Sequence, residues 1–121
     1  FDRIAVDAPF SSIRHVADAV VLRFAGPLKT PIWEAGRFWI RAWTGADLEK
    51  HRPISSIANI SPKNLLIIHG TADKVIPYTE GVALHEATGK RARFIRVDDY
   101  GHAETIAHPD YSRWLDEFFQ P

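Results

Sequence analysis

A run of four apolar residues, Leu65-Leu66-Ile67-Ile68, most restricts the fold of this 121-residue chain. It leads directly into a turn-rich segment, HGTADKVIP, at residues 69–77. Strands whose residues are continuously apolar, rather than alternating with polar ones, are typical of sheets covered on both faces. We therefore expect a strand over residues 64–69 in the interior of a sheet, with Asp73 just beyond its end.

Strand and helix patterns alternate along the chain. Further strands are predicted over residues 3–8 and 92–98, and helices over residues 79–88 and from Pro109 towards the C-terminus. This alternation predicts an α/β fold with a parallel sheet between helices. A sheet of three strands leaves an exposed edge, which predicts either association with a partner or further strands upstream of Phe1.

Two helical patterns lie between the first two strands. The first begins after Ser11 or Ser12, either of which is a suitable N-cap, and continues to Phe24. The second runs from Pro31 to about Thr44, with its apolar residues at helical spacing. The segment that follows is polar and is predicted to be a connection with a short helix.

Composition excludes several classes of function. Lys and Arg total 15, as do Asp and Glu, so charge gives no reason to expect a nucleic-acid or anionic-membrane partner. No apolar run is long enough for a membrane span, and no signal-peptide pattern is present. The absence of Cys excludes thiol chemistry and is compatible with a cytoplasmic location. The chain begins at Phe1 and contains no Met, so we expect it to be part of a longer translation product.

Each predicted strand is followed by an ionisable residue. Asp7 ends the first strand, Asp73 follows the second, and His102 follows the third. Functional groups of open α/β sheets lie beyond the carboxyl ends of the strands, so these three side chains are expected at one edge. A carboxylate next to an imidazole fixes the tautomer of the ring and prepares it for general-base catalysis. Asp73 and His102 are therefore the candidate catalytic pair.

The segments LLIIHGTADKVIP and VDDYGHAET, followed by an amphipathic helix, resemble the C-terminal half of the α/β-hydrolase fold. The similarity is to serine hydrolases of the dienelactone-hydrolase-like branch, whose triad runs in the order Ser, Asp, His. It implies that Asp73 is the acid and His102 the base. It also implies one domain over residues 1–121, with a helical cap insertion at 10–60 and the acid- and histidine-bearing βαβα segment at 61–121.

The nucleophile of that family has no counterpart here. The sequence contains no G-x-S-x-G motif and no glycine-rich oxyanion loop. Ser11 and Ser12 follow a Pro-Phe pair and lack the flanking glycines, so neither is expected to be the nucleophile. Since triad members act as a unit, the acid and base alone are expected to have little activity.

Alternatives exist for several of these residues. Asp7 is a competing acid, because some families of this fold place the acid after the earlier strand, although a turn role is the stronger expectation. Asp98 and Asp99 are expected in the solvated loop before His102, and Glu104 is expected to cap or orient that loop.

The aromatic residues of the second helical pattern admit two interpretations. Such residues at helical spacing usually belong to a core, but in a cap they would line an apolar substrate pocket. Under the second interpretation the substrate-binding residues are Trp33, Phe38, Trp39 and Trp43. The histidines show no HExxH spacing and no phosphate-binding loop is present, so neither a metal nor a cofactor is predicted.

Two functions follow from the sequence. The first is an acyl hydrolase, acting on a small-molecule ester, thioester or amide, to which this chain contributes the acid and base. The second is a non-catalytic α/β module that self-associates through its exposed sheet edge. A monomer in size-exclusion chromatography would argue against the second.

Overall fold

The structure, a computed structural model, describes residues 3–50 and 52–120. Three strands and five α-helices follow one another along the chain: β1 (Ile4–Asp7), α1 (Ile13–Val20), α2 (Lys29–Thr44), α3 (Pro53–Ile57), β2 (Leu65–Gly70), α4 (Tyr78–Ala87), β3 (Arg93–Val97) and α5 (Tyr111–Phe119). Single turns of 3₁₀-helix lie at Leu22–Phe24, Gly26–Leu28, Pro62–Asn64 and Thr105–Ala107.

The three strands form one parallel sheet in the order β1-β2-β3. Ile4 is aligned with Leu65 on one side of β2, and Leu66 with Arg93 on the other. Because all strands run in the same direction, their carboxyl ends meet at one edge, and the residues after Asp7, Gly70 and Val97 leave the sheet there. The predicted parallel α/β sheet is confirmed.

The central strand β2 is buried over its whole length. Leu65 and Ile67 point to the face covered by α3 and α4, where they pack with Leu84. Leu66 and Ile68 point to the opposite face and pack with Phe118 of α5. Since successive side chains of a strand point to opposite faces, a sheet covered on both sides requires apolar residues at every position. This explains the continuous apolar run.

Two predicted helices differ from those in the structure. The first predicted helix reaches Phe24, but α1 ends at Val20 and gives way to two 3₁₀ turns, the second containing Gly26 and Pro27. The last helix was predicted to open at Pro109, but α5 begins at Tyr111 with Asp110 as its N-cap. The N-cap of α1 is Ser12, whose side chain accepts the amide of His15 at 3.2 Å.

A buried carboxylate joins the first helical segment to the sheet domain. Glu80, in the first turn of α4, accepts hydrogen bonds from the Ser11 amide at 2.8 Å and the Ser11 hydroxyl at 2.6 Å. Its other oxygen lies 3.0 Å from Nδ1 of His15. Burial raises the pKa of the Glu80 carboxyl, but the hydrogen bonds from Ser11 and the proximity of His15 outweigh it and leave the pKa lowered. The carboxylate is therefore favoured at this junction.

We expect Glu80→Gln to destabilise the fold by about 1–2 kcal/mol at pH 7, because charge-assisted hydrogen bonds are lost in a buried site. A lowered folded-state pKa stabilises the protein above the unfolded pKa, and this contribution disappears as the pH falls through the folded-state pKa. The difference between wild type and variant in urea denaturation should therefore shrink below about pH 4. Glu86→Gln on the exposed side of α4 is the matched control. An equal loss in both variants, or a constant difference at all pH values, would contradict the expectation.

Two helical glycines differ in the space around them. A Cβ on Gly81 of α4 would lie 2.4 Å from Nδ1 of His69, whose side chain is fully buried, whereas a Cβ on Gly36 of α2 would meet nothing within 4 Å. Alanine favours a helix over glycine by about 1 kcal/mol. We expect Gly36→Ala to stabilise the protein by about this amount and Gly81→Ala to destabilise it, as measured by thermal unfolding. Stabilisation by both substitutions would show that His69 can move away.

Candidate active site

The turn after β2 fixes Asp73 through its backbone. One side-chain oxygen, Oδ1, accepts the amides of Val75 and Ile76, both at 2.8 Å. The Asp73 side chain is completely shielded from solvent. An aspartate that binds amides two and three residues ahead forms the Asx type of turn, which accounts for the tight reversal after the strand. The second oxygen, Oδ2, takes no part in these two bonds and can accept from another side chain.

Asp73 and His102 are in direct contact. Nδ1 of His102 lies 2.9 Å from Oδ2 of Asp73. Because a carboxylate only accepts hydrogen bonds, Nδ1 carries the proton and donates it. The His102 side chain is 38% exposed, so the ring is reachable from solvent while its acid is buried. The structure thus brings together the two residues predicted from the sequence.

The loop that carries His102 is built around a close approach to β2. A Cβ on Gly70 would lie 2.2 Å from the carbonyl oxygen of Tyr100, so only glycine fits there. The same carbonyl accepts the Ala72 amide at 3.0 Å. On the other side of the loop, the Gly101 amide donates to Oε2 of Glu104 at 2.8 Å. Glu104 therefore orients the loop, in agreement with the prediction from the sequence.

His69, at the end of β2, supports the same turn. Its Nε2 lies 2.9 Å from the carbonyl oxygen of Ile76 and 3.7 Å from Oδ2 of Asp73. Since a carbonyl can only accept, Nε2 is protonated. Nδ1 is buried and has no partner among the described residues. This buried ring therefore holds the Ile76 end of the turn against the end of β2.

Asp7 lies at the same edge of the sheet but contacts a different group. Its Oδ2 accepts the hydroxyl of Thr105 at 2.6 Å. Among the described residues, His102 donates its hydrogen bond to Asp73 and not to Asp7. The competing assignment of Asp7 as the acid therefore finds no support in the geometry. The contact with Thr105, a residue 98 positions away, was not foreseen from the sequence.

Ser11 and Ser12 have structural roles. The hydroxyl of Ser11 donates to Glu80 and the side chain of Ser12 caps α1. The expectation that neither is a nucleophile agrees with these contacts.

The four aromatic residues of α2 have different surroundings. Trp33 is buried and stacks beneath the guanidinium of Arg14, with Cζ 5.1 Å from the ring centroid. Phe38, Trp39 and Trp43 are exposed, Trp43 by 85%. The interpretation of these residues as core is correct for Trp33 and wrong for the other three.

Two cavities are relevant to a ligand. One, of about 420 Å³, is lined by Lys74, His102 and Glu104 together with Ala72 and Gly101. The other, of about 440 Å³, is lined by Trp39, Ile40, Trp43 and Thr44. They share no lining residue, so the aromatic residues do not border the His102 cavity.

Neither a metal site nor a membrane span is found in residues 3–50 and 52–120. No three His, Asp or Glu side chains converge there as ligands would. No helix in that part of the chain combines the length and hydropathy that crossing a bilayer requires.

A parallel sheet between helices, with an acid after one strand and a histidine after the next, matches the order of acid and histidine in α/β-hydrolases. The family described as TAP-like protein matches residues 30–120, well over half of the sequence, and the chain belongs to that family. No curated protein matches the sequence.

Solved structures share the fold. A meta-cleavage product hydrolase from Pseudomonas fluorescens IP01, a serine-to-alanine mutant complexed with acetates, superimposes with a TM-score of 0.56 at 18% sequence identity. The match covers 98% of this chain and 55% of that protein, so the chain spans about half the length of this relative.

We expect His102 to be the Nδ1–H tautomer when neutral. In Asp73→Asn, the amide oxygen should face Val75 and Ile76, which leaves the NH₂ group towards His102. The ring must then accept at Nδ1, and the proton should move to Nε2. Long-range ¹H–¹⁵N correlation spectra of the chain at alkaline pH distinguish the two tautomers. His85, whose Nε2 lies 3.0 Å from the carbonyl oxygen of Ala92, is the internal control and should remain Nε2–H in both proteins. An Nε2–H wild-type His102 would contradict the assignment.

Proposed function

We propose that this chain supplies the acid and the general base of a Ser-Asp-His acyl hydrolase. The observation that carries the proposal is the 2.9 Å contact between Nδ1 of His102 and the buried carboxylate of Asp73. Asp73 holds the ring in one tautomer and stabilises the imidazolium. The other nitrogen, Nε2, has its lone pair free to take a proton. Membership of an α/β-hydrolase family supports this reading.

The nucleophile in this proposal is a serine outside these 121 residues, because the sequence contains no G-x-S-x-G motif. Nε2 of His102 takes the proton from the serine hydroxyl as the oxygen attacks the acyl carbonyl. The resulting imidazolium returns that proton to the leaving alcohol, thiol or amine. Water then attacks the acyl-enzyme with His102 as base, which releases the acid and regenerates the serine. Without that serine, the 121-residue chain is inactive.

The substrate of the proposal is a small ester, thioester or amide. The cavity lined by Trp39 and Trp43 is apolar, as ligand sites usually are, but it does not border the His102 cavity, so its role in binding the acyl group stays a prediction from the sequence. Phe38, which stacks edge-on against Trp39 with centroids 5.7 Å apart, would extend that surface. Trp33 is buried, so in this proposal it would hold α2 in place and would not contact the substrate. The cap role of residues 10–60 belongs to this proposal.

Self-association stays the second prediction from the sequence. In the described sheet, β1 and β3 each pair with β2 on one side only. No further contact favours this function over hydrolysis.

Substitutions in the full-length protein test the proposal. We expect Asp73→Asn to lower kcat for short-chain p-nitrophenyl esters about 10⁴-fold, because the wrong tautomer faces the nucleophile. His102→Ala should cost at least as much. Asp98→Asn is the matched control, since Asp98 is an exposed carboxylate in the same loop that contacts Arg96 at 2.6 Å. Unchanged turnover in either Asp73→Asn or His102→Ala would refute the catalytic assignment.

A further inference from the structure

The loop that presents His102 contains unfavourable backbone conformations. Asp99 and Ala103, on either side of His102, both have left-handed φ values, 64° and 59°. Such conformations cost about 1–3 kcal/mol each for residues other than glycine, and they persist only where surrounding contacts hold them. The contacts at the two ends of this loop therefore determine where the imidazole lies.

The first end of the loop is tied to the turn after β2. The amide of Asp99 donates to the hydroxyl oxygen of Thr71 at 3.0 Å, and the amide of Ala72 donates to the Tyr100 carbonyl at 3.0 Å. These bonds fix the backbone before His102. The backbone after His102, which contains the left-handed Ala103, is bridged by hydrogen bonds between Gly101 and Glu104, but these lie within the loop and do not attach it to the sheet.

The second end is tied to the first strand. Thr105 is 1% exposed, and its hydroxyl donates to Oδ2 of Asp7 at 2.6 Å. Asp7 ends β1, whereas the loop leaves β3, and β2 lies between them. The chain therefore crosses the carboxyl end of β2, where the Asp73 turn begins, before it is fastened. His102 lies within this crossing.

The two oxygens of the Asp7 carboxyl have different surroundings. Its Oδ1 is buried without a hydrogen-bond partner among the described residues. The titratable neighbour facing it is Tyr111 of α5. Burial raises the pKa of the Tyr111 phenol, and the nearby Asp7 carboxylate raises it further. The hydrogen bond from Thr105 is thus the contact that joins this partly buried carboxylate to the histidine loop.

We propose that Asp7 and Thr105 form a positioning pair for His102: their hydrogen bond holds the loop across β2 so that Nδ1 of His102 stays on Asp73. Neither residue touches the substrate or the reacting atoms. The inference rests on the proposed function, because it assigns these two residues a part in the same acid–base device. It also gives the two carboxylates at this edge of the sheet separate roles: Asp73 orients the His102 ring, and Asp7 holds the loop that carries it.

The consequence for catalysis is geometric. Misplacement of a catalytic group by about 1 Å costs up to about 100-fold in rate, even when the change lies away from the chemistry. Loss of the Thr105 hydroxyl would free the second end of the loop and allow the left-handed residues to relax. His102 would then leave Asp73 for part of the time.

Thr105→Val removes the hydroxyl while keeping the shape of the side chain, and Thr105→Ser restores the hydroxyl. We expect Thr105→Val to lower kcat of the full-length protein about tenfold with KM unchanged, and Thr105→Ser to recover most of it. In ¹H–¹⁵N spectra of the chain, the Nδ1–H signal of His102 should weaken through faster solvent exchange in Thr105→Val and return in Thr105→Ser.

Thr88→Val is the matched control. Thr88 is 3% exposed, and its hydroxyl also donates at 2.6 Å, but to the carbonyl of His85 at the far end of α4. It should lose stability as Thr105→Val does and leave the His102 signal unchanged. An unchanged His102 signal in Thr105→Val, or an equal disturbance in Thr88→Val, would overturn the positioning role.

Asp7→Asn separates this inference from the catalytic assignment. Asparagine retains an oxygen that can accept from Thr105, so kcat should fall no more than about threefold. A loss as large as that of Asp73→Asn would make Asp7 an acid and overturn the positioning role. If Asp73→Asn and His102→Ala leave turnover unchanged, the proposed function fails. The spectra of Thr105→Val still report whether the hydrogen bond holds His102 on Asp73.

Discussion

Burial of β2 on both faces is the constraint on which the rest of the structure depends. Its four apolar side chains pack alternately against α3 and α4 on one face and α5 on the other. Full burial of each contributes about 1.5–3 kcal/mol to the favourable free energy that opposes the entropy cost of folding. A strand held this firmly has a fixed carboxyl end. The Asp73 turn and the His102 loop are both built against that end.

Close backbone approach is the second requirement of the site. Gly70 lets the Tyr100 carbonyl reach β2, and Gly81 lets α4 lie against the His69 ring. In both places the missing side chain makes room for a polar group that contacts the Asp73 turn. The apolar strand provides rigidity and the two glycines provide proximity. The hydrogen bond between Asp73 and His102 needs both, because it tolerates only a narrow range of distances.

The parts of this structure that could be predicted depend on local patterns. The β2 run, the Asx turn of Asp73 and the Gly-His pair are each encoded within a few residues. The parallel α/β sheet was therefore predicted correctly. The sequence also singled out Asp73 and His102, which lie 2.9 Å apart in the structure, and their catalytic role stays a prediction. The predicted start of the last helix at Pro109 was wrong because proline is compatible with both the first helical turn and the loop before it. The interpretation of Trp43 as a core residue was wrong because helical spacing identifies one face of a helix but does not show whether another element covers that face.

The contacts that were not predicted all join residues far apart in the sequence. Glu80 binds Ser11 across 69 positions, and Thr105 binds Asp7 across 98. Nothing in the neighbourhood of either residue distinguishes it from an ordinary polar side chain. Such pairs become visible only when the strand order is known, because the sheet decides which loops meet at its edge. The sequence showed that Asp7 and Asp73 each come at or after the end of a strand. Which of them contacts the histidine was decided by how the loop crosses β2.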